Sequence, residues 1–299
     1  MQKTRTFFNI ICASTCLMLQ FEYCSPQLFG QSERGWVYQD QDPDFANRSV
    51  RTKELILYPA AETRPAFKYQ LIPSDFHQLE GNAAAYYLRA IGFPERNNVR
   101  RELDRISTEA FEESQKKGVA VYDVPPISWQ GMRPHDLPVE EVKKYLSLTE
   151  FQAREIAGAY ILKTLDFSRK LREVDSPISI LLSEIQQFRE LARTQSLRCR
   201  VAIAEGRIDD AIKITGHQFR MANHLSQDPI LVSNLVGIAI FGIGWDDALD
   251  ILQSPDTPNL FWAFASLPKP LVPLDKSLAI EKEWVALELK ALKEVDERF

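Results

Sequence analysis

Residues 202–212 read Ala202-Ile203-Ala204-Glu205-Gly206-Arg207-Ile208-Asp209-Asp210-Ala211-Ile212. Up to Glu205, Leu181, Ile185, Phe188, Ala192, Cys199 and Ile203 follow a helical stripe; beyond Arg207, Ile208, Ala211, Ile212, Thr215, Phe219 and Ala222 do the same. Apolar residues three and four apart make one face of an amphipathic helix. Two such faces joined by Gly206-Arg207 leave too little chain for anything but a fold-back. The stretch therefore predicts a helical hairpin, with a first helix ending at Glu205.

On the C-terminal side, Asp228-Pro229 opens an element from Ile230 to Leu252 that is apolar on every side as far as Ile243. That pattern fits a central core helix. The apolar run contains Ser233 and Asn234, ends at Trp245-Asp246-Asp247, and falls short of the ~20 apolar residues of a membrane span. Gly237, Gly242 and Gly244 lower its helix propensity, so close backbone packing is the expected reason for them. Thr257-Pro258 caps a short helix through Leu260, Trp262 and Phe264, and a proline-rich strap, Pro268 to Pro273, leads to a last helix over 275–298.

On the N-terminal side, Ser176-Pro177 places a capping serine before a proline at the first helical position and starts the hairpin. Thr149 caps a helix expected to reach Val174, and Pro138 begins one to Leu146. Residues 119–137 hold Pro125, Pro126 and Pro134 and exclude regular helix. With Trp129 and Met132 to bury, this segment reads as a functional loop or a packed strap, and as a sub-boundary in the domain. Val99, Leu103, Ile106 and Ala110 mark a helix from Glu95 to Lys117, stopped by Gly118, and Asn82 caps a helix ending near Gly92. Leu55–Tyr58 and Pro65–Pro73 are extended. The fold class is all-α: helical hairpins in a tetratricopeptide-like or irregular α-α array, with short extended segments near the N-terminus.

The 299-residue chain begins with a basic region, Lys3 and Arg5, an apolar stretch from Phe7 to Phe21, and a turn-prone segment with Ser25, Pro26 and Gly30. These are the parts of a secretory signal peptide, assigned to residues 1–30; uncleaved, residues 7–21 would tether the chain to a membrane. A polar, Asp-rich linker is expected over 31–52 and a helical domain over 53–299. Removing Lys3, Arg5 and Glu22 moves the formal net charge from −5 to −6. That balance argues against nucleic acid, whose binders need a basic field. Cys12, Cys16 and Cys24 lie in or beside the leader, so Cys199 is left without an internal disulfide partner. The expected location is periplasmic or extracellular.

Asp40, Asp42 and Asp44 alternate like the start of a calcium loop, but Phe45 and Arg51 stand where its glycine and glutamate belong. His217 and His224 share one helix face with Met221 between them. They are ~10.5 Å apart along the axis, too far to share a metal easily; a surface or groove position is expected for all three. Neither a nucleophile elbow, nor a phosphate loop, nor a dinucleotide fingerprint occurs, so no cofactor is expected. Asp209-Asp210 and Asp246-Asp247 need only solvated or capping roles, and Cys199 reads as a structural thiol. Trp245, Phe261, Trp262, Phe264 and Trp284 gather near the C-terminal prolines, as core packing or as the lining of a peptide groove.

The 202–212 stretch also resembles the inter-helix turn of tetratricopeptide repeats, in which small residues let two helices approach and glycine makes the turn. The wider chain resembles a family of exported proteins from planctomycete bacteria. The likeness rests on Pro59-Ala60-Ala61-Glu62, Pro65-Ala66-Phe67-Lys68-Tyr69, Gly81-Asn82-Ala83-Ala84, Ala204-Glu205-Gly206-Arg207, Leu235-Val236-Gly237-Ile238-Ala239, and Pro258-Asn259-Leu260-Phe261-Trp262-Ala263 before Leu267-Pro268. It carries no activity, cofactor or catalytic set. The expectation is an exported helical scaffold that binds a protein or cell-envelope partner, with His217, Met221, His224, Trp245 and Trp262 as candidate interaction residues. The rival is an envelope hydrolase using carboxylates from different helices.

Overall fold

The computed structural model describes residues 36–39, 50–92, 98–169 and 183–296. Over these the fold is all-α. The helices are α1 (Ala84–Ile91), α2 (Asn98–Lys117), α3 (Val139–Ser147), α4 (Glu150–Tyr160), α5 (Ser183–Ala204), α6 (Ile208–Leu225), α7 (Leu231–Leu252), α8 (Phe261–Ala265) and α9 (Asp275–Asp296). Two short strand pairs accompany them. β1 (Trp36–Gln39) and β2 (Val50–Lys53) are antiparallel, whereas β3 (Leu79–Asn82) and β4 (Leu162–Thr164) are parallel.

The predicted hairpin is α5 and α6. Gly206 turns the chain at φ +74°, a left-handed conformation open to glycine without steric cost. The Arg207 N–H returns to the Ala202 carbonyl at 2.8 Å and closes the C-terminus of α5. α7 packs against both members of the hairpin. Phe188, Ala192 and Cys199 of α5 meet Phe219 and Ala222 of α6 and Val236 and Ile240 of α7 in one core. Two of the three α7 glycines are explained there. A Cβ on Gly237 would lie 3.0 Å from the Ala222 carbonyl oxygen, and one on Gly244 would lie 3.0 Å from the Phe219 ring.

α1 and α4 pack together as a second layer over this unit. Asn82, expected to cap α1, stands one residue before the N-cap Ala83 at the end of β3, and its Oδ1 accepts the N–H of Ala84 at 3.0 Å. The same side chain also grips Asp166, accepting its N–H at 3.0 Å and donating to its carbonyl at 2.6 Å. This explains the largest departure from the sequence reading. The helix expected from Thr149 to Val174 ends at Tyr160, because Leu162–Thr164 pairs with β3 and Asp166 is held by Asn82. Residues 170–182, including the Ser176-Pro177 start, lie outside the described residues, as do the leader and the aspartates Asp40, Asp42 and Asp44. The segment expected as a polar linker supplies β1 and most of β2 at its ends.

The irregular segment 119–137 is a packed strap. Three single-turn 3₁₀ helices bend it, and Trp129 and Leu137 enter a smaller core with Val142, Leu146, Leu197 and Val201. Arg200, fully buried on α5, clamps it by donating to the carbonyls of Trp129 at 2.6 Å and Met132 at 2.7 Å. A buried guanidinium that satisfies two loop carbonyls fixes a segment with no ladder of its own.

Candidate functional site

The histidine pair lies inside the protein, which corrects the expected surface or groove position. His217 is 6% exposed, and Met221 and His224 are 0% exposed. α6 is covered on one side by α5 and α7 and on the other by α4 and β4, so the face that looked free in sequence is interior. His224 has both ring nitrogens engaged, Nδ1 with the Tyr87 hydroxyl at 2.8 Å and Nε2 with the Leu162 carbonyl at 2.8 Å. A carbonyl only accepts, so Nε2 carries the proton and the Tyr87 hydroxyl donates to Nδ1. Burial, aided by the charge of Arg220, pushes the His224 pKa down to about 3; burial and Lys213 push His217 to about 4. Both are neutral packing groups near pH 7, and the Tyr160 ring lies edge-on to His217 at 5.1 Å.

The acidic pairs also divide. Asp209 accepts from the Tyr69 hydroxyl at 2.8 Å and Asp210 pairs with Arg207 at the surface. Asp247, expected to be solvated, is fully buried and accepts from Ser196 Oγ and Gln218 Nε2, both at 2.8 Å. It links α5, α6 and α7 in their shared interior. Asp250, one turn on, pairs with Lys53 at 3.0 Å and ties β2 to α7. Cys199 is buried with its thiol 3.5 Å from the Thr215 hydroxyl.

Trp245 and Trp262 are the candidate residues that reach solvent, at 39% and 40% exposure. They belong to an aromatic surface over α7 and α8. From the core outward, Phe219, Phe241, Trp245 and Phe264 form a chain of rings with successive centroids 5.1, 6.0 and 5.8 Å apart. Beside it Phe67, from the extended segment, packs on Trp262 at 5.9 Å, and Trp262 meets Phe261 edge-on at 5.1 Å. Ring contacts of this kind hold the exposed side chains in fixed positions. Trp284 is half-buried on α9.

Two members of this surface escaped the sequence reading. Ile238 is exposed on the same face of α7, and Gly242, between Ile238 and Trp245, is also exposed. A Cβ built on Gly242 meets nothing within 4 Å. Unlike Gly237 and Gly244, this glycine has no internal packing reason, and it leaves a notch flanked by two large apolar side chains. Its only sequence signal was the spacing of three glycines, which does not say which one faces out.

Among the described residues no group of acidic, histidine or cysteine side chains could hold a metal ion, and no helix is long and apolar enough to cross a membrane. Compared with known proteins, the chain matches no family model, no curated protein and no solved structure.

Proposed function

We propose that the chain is an exported scaffold of tetratricopeptide-like helical hairpins whose α7 face receives an amphipathic helix from a partner protein of the cell envelope. The observation that carries this is the exposed Gly242 notch between Ile238 and Trp245. Glycine inside a helix costs ~1 kcal/mol relative to alanine, and among the described residues none comes within 4 Å of a Cβ built at this position to offset that cost. Absence of a Cβ lets another backbone approach closely. Ile238, Gly242 and Trp245 stand at i, i+4 and i+7, the spacing at which one helix offers a ridge and groove to another.

Affinity capture from the envelope fraction tests this, comparing the unaltered chain with Gly242→Leu, with Trp245→Ala, and with Glu112→Ala on the distant α2 as control. The expected result is one partner, retained by the unaltered chain and the control, lost from both α7 variants, and cross-linked to Ile238 or Trp245. Capture indifferent to the α7 substitutions would sink the proposal. So would light scattering that shows this face closing a dimer of the chain.

A further inference from the structure

A cleft of about 750 Å³ opens where the segment Phe67–Gln78 crosses the second half of α6. Arg220, Asn223 and Gln227 of α6 line it, with Phe67, Ile72 and Pro268 as apolar wall and Asp75, His77 and Lys163 at the rim. Arg220 is 3% exposed. Its guanidinium donates to Asn223 Oδ1 at 3.0 Å, to Gln78 Oε1 at 3.1 Å and to the Leu162 carbonyl. Its buried Nε has no acceptor among the described residues.

Among the described residues every acceptor of Arg220 is a neutral amide oxygen. A cation removed from water without a counter-charge carries a desolvation penalty of several kcal/mol, and burial lowers the Arg220 pKa accordingly. Tyr87, Tyr160 and Asp75 compensate in part, and the Asp75 carboxylate is joined to Arg220 only through Gln78, whose Nε2 donates to Asp75 Oδ1 at 3.3 Å. The other rim cation, Lys163, is half-exposed and pairs with Glu80 at 2.8 Å, outside the cleft lining.

We propose that this cleft binds a small organic monocarboxylate, whose head pairs with Arg220 and whose apolar body rests on Phe67, Ile72 and Pro268. Both Nη atoms of Arg220 already donate within the fold, so its Nε–H, which has no acceptor among the described residues, is the donor left for one carboxylate oxygen. The single charge follows from Asp75, which would repel the second charge of a phosphate or dicarboxylate at the same rim. His77, bound through Nδ1 to Ser74 Oγ at 2.9 Å, stands at the mouth.

Calorimetric titration of the purified chain with benzoate, its neutral isostere benzamide and inorganic phosphate tests this. Benzoate should bind saturably and at least about tenfold more tightly than benzamide, a gap of ~1.4 kcal/mol, with phosphate weaker than benzoate. Arg220→Gln should abolish the preference for benzoate. Because that change touches a buried residue, two exposed positions give a second reading: Asp75→Asn should tighten benzoate several-fold and Lys163→Ala should weaken it. Equal binding of benzoate and benzamide, tighter binding of phosphate, no saturation up to tens of millimolar, or indifference to both rim substitutions would each overturn the assignment.

Discussion

Lowering the pH from about 7.5 to 5 should destabilise the fold well before its carboxylates titrate. In the unfolded chain His217 and His224 take up a proton near pH 6.5; in the folded chain burial holds them neutral down to about 4 and about 3. The folded pKa values are depressed, so the unfolded state binds more protons throughout this window. Stability is full above ~6.5 and is lost as pH falls from there toward the folded values. Each histidine contributes ~1.36 kcal/mol per pH unit, the pair ~2.7, and the loss at pH 5 is about 4 kcal/mol. Against the 5–15 kcal/mol typical of whole domains this is large. Urea denaturation followed by circular dichroism, in a His77→Gln/His135→Gln background, reads it directly. His224→Gln should roughly halve the slope, since glutamine can accept from Tyr87 and donate to Leu162. A urea midpoint that does not move between pH 7.5 and 5 would refute the claim that the pair is buried and neutral.

The α7 glycines should respond with opposite signs. Gly242→Ala, in open space, should raise stability by ~0.5–1 kcal/mol while weakening partner capture. Gly244→Val, driven into the Phe219 ring, should lower it by ~1–3 kcal/mol through overpacking; urea midpoints of the two variants decide this. Trp129→Ala should cost ~3–5 kcal/mol and expose the amides of 119–137 to hydrogen exchange, as expected if the strap is held by its small core. Tyr87→Phe should cost ~1–3 kcal/mol, because it leaves the buried Nδ1 of His224 without its donor. A loss near zero would mean that this hydrogen bond contributes little.

Helix positions in the second half were legible because periodicity and punctuation agreed: Gly206 at the turn, Asp228-Pro229 before α7, Pro138 before α3. The end of α4 was not legible. Residues 161–169 carry no proline or glycine, and what stops the helix is a long-range pairing with β3 together with the grip of Asn82 on Asp166. Burial was harder still. His217, Arg220 and His224 look like the polar side of α6, and only the second layer of α4 and β4 shows that this side faces inward. Trp245 and Trp262 stand out in the sequence as members of an aromatic set near the C-terminal prolines, and the structure leaves both partly exposed. Gly242 and Arg220 do not stand out, because their meaning lies in what is missing around them: a neighbour for one, a counter-charge for the other.

The β3–β4 ladder gives the fold an order in time. Asn82 and Asp166, joined through one side chain, are 84 residues apart in sequence, whereas α5, α6 and α7 meet near neighbours. Closing a longer loop costs entropy that grows slowly with length, yet contacts that depend on it form late. The three-helix unit can therefore assemble first, as a platform on which the excursion from α1 to α4 is later docked and locked by two short strands. Pulse-labelled amide exchange during refolding should show protection in α5–α7 before the N–H groups of Leu79, Ala83 and Asp166 are shielded.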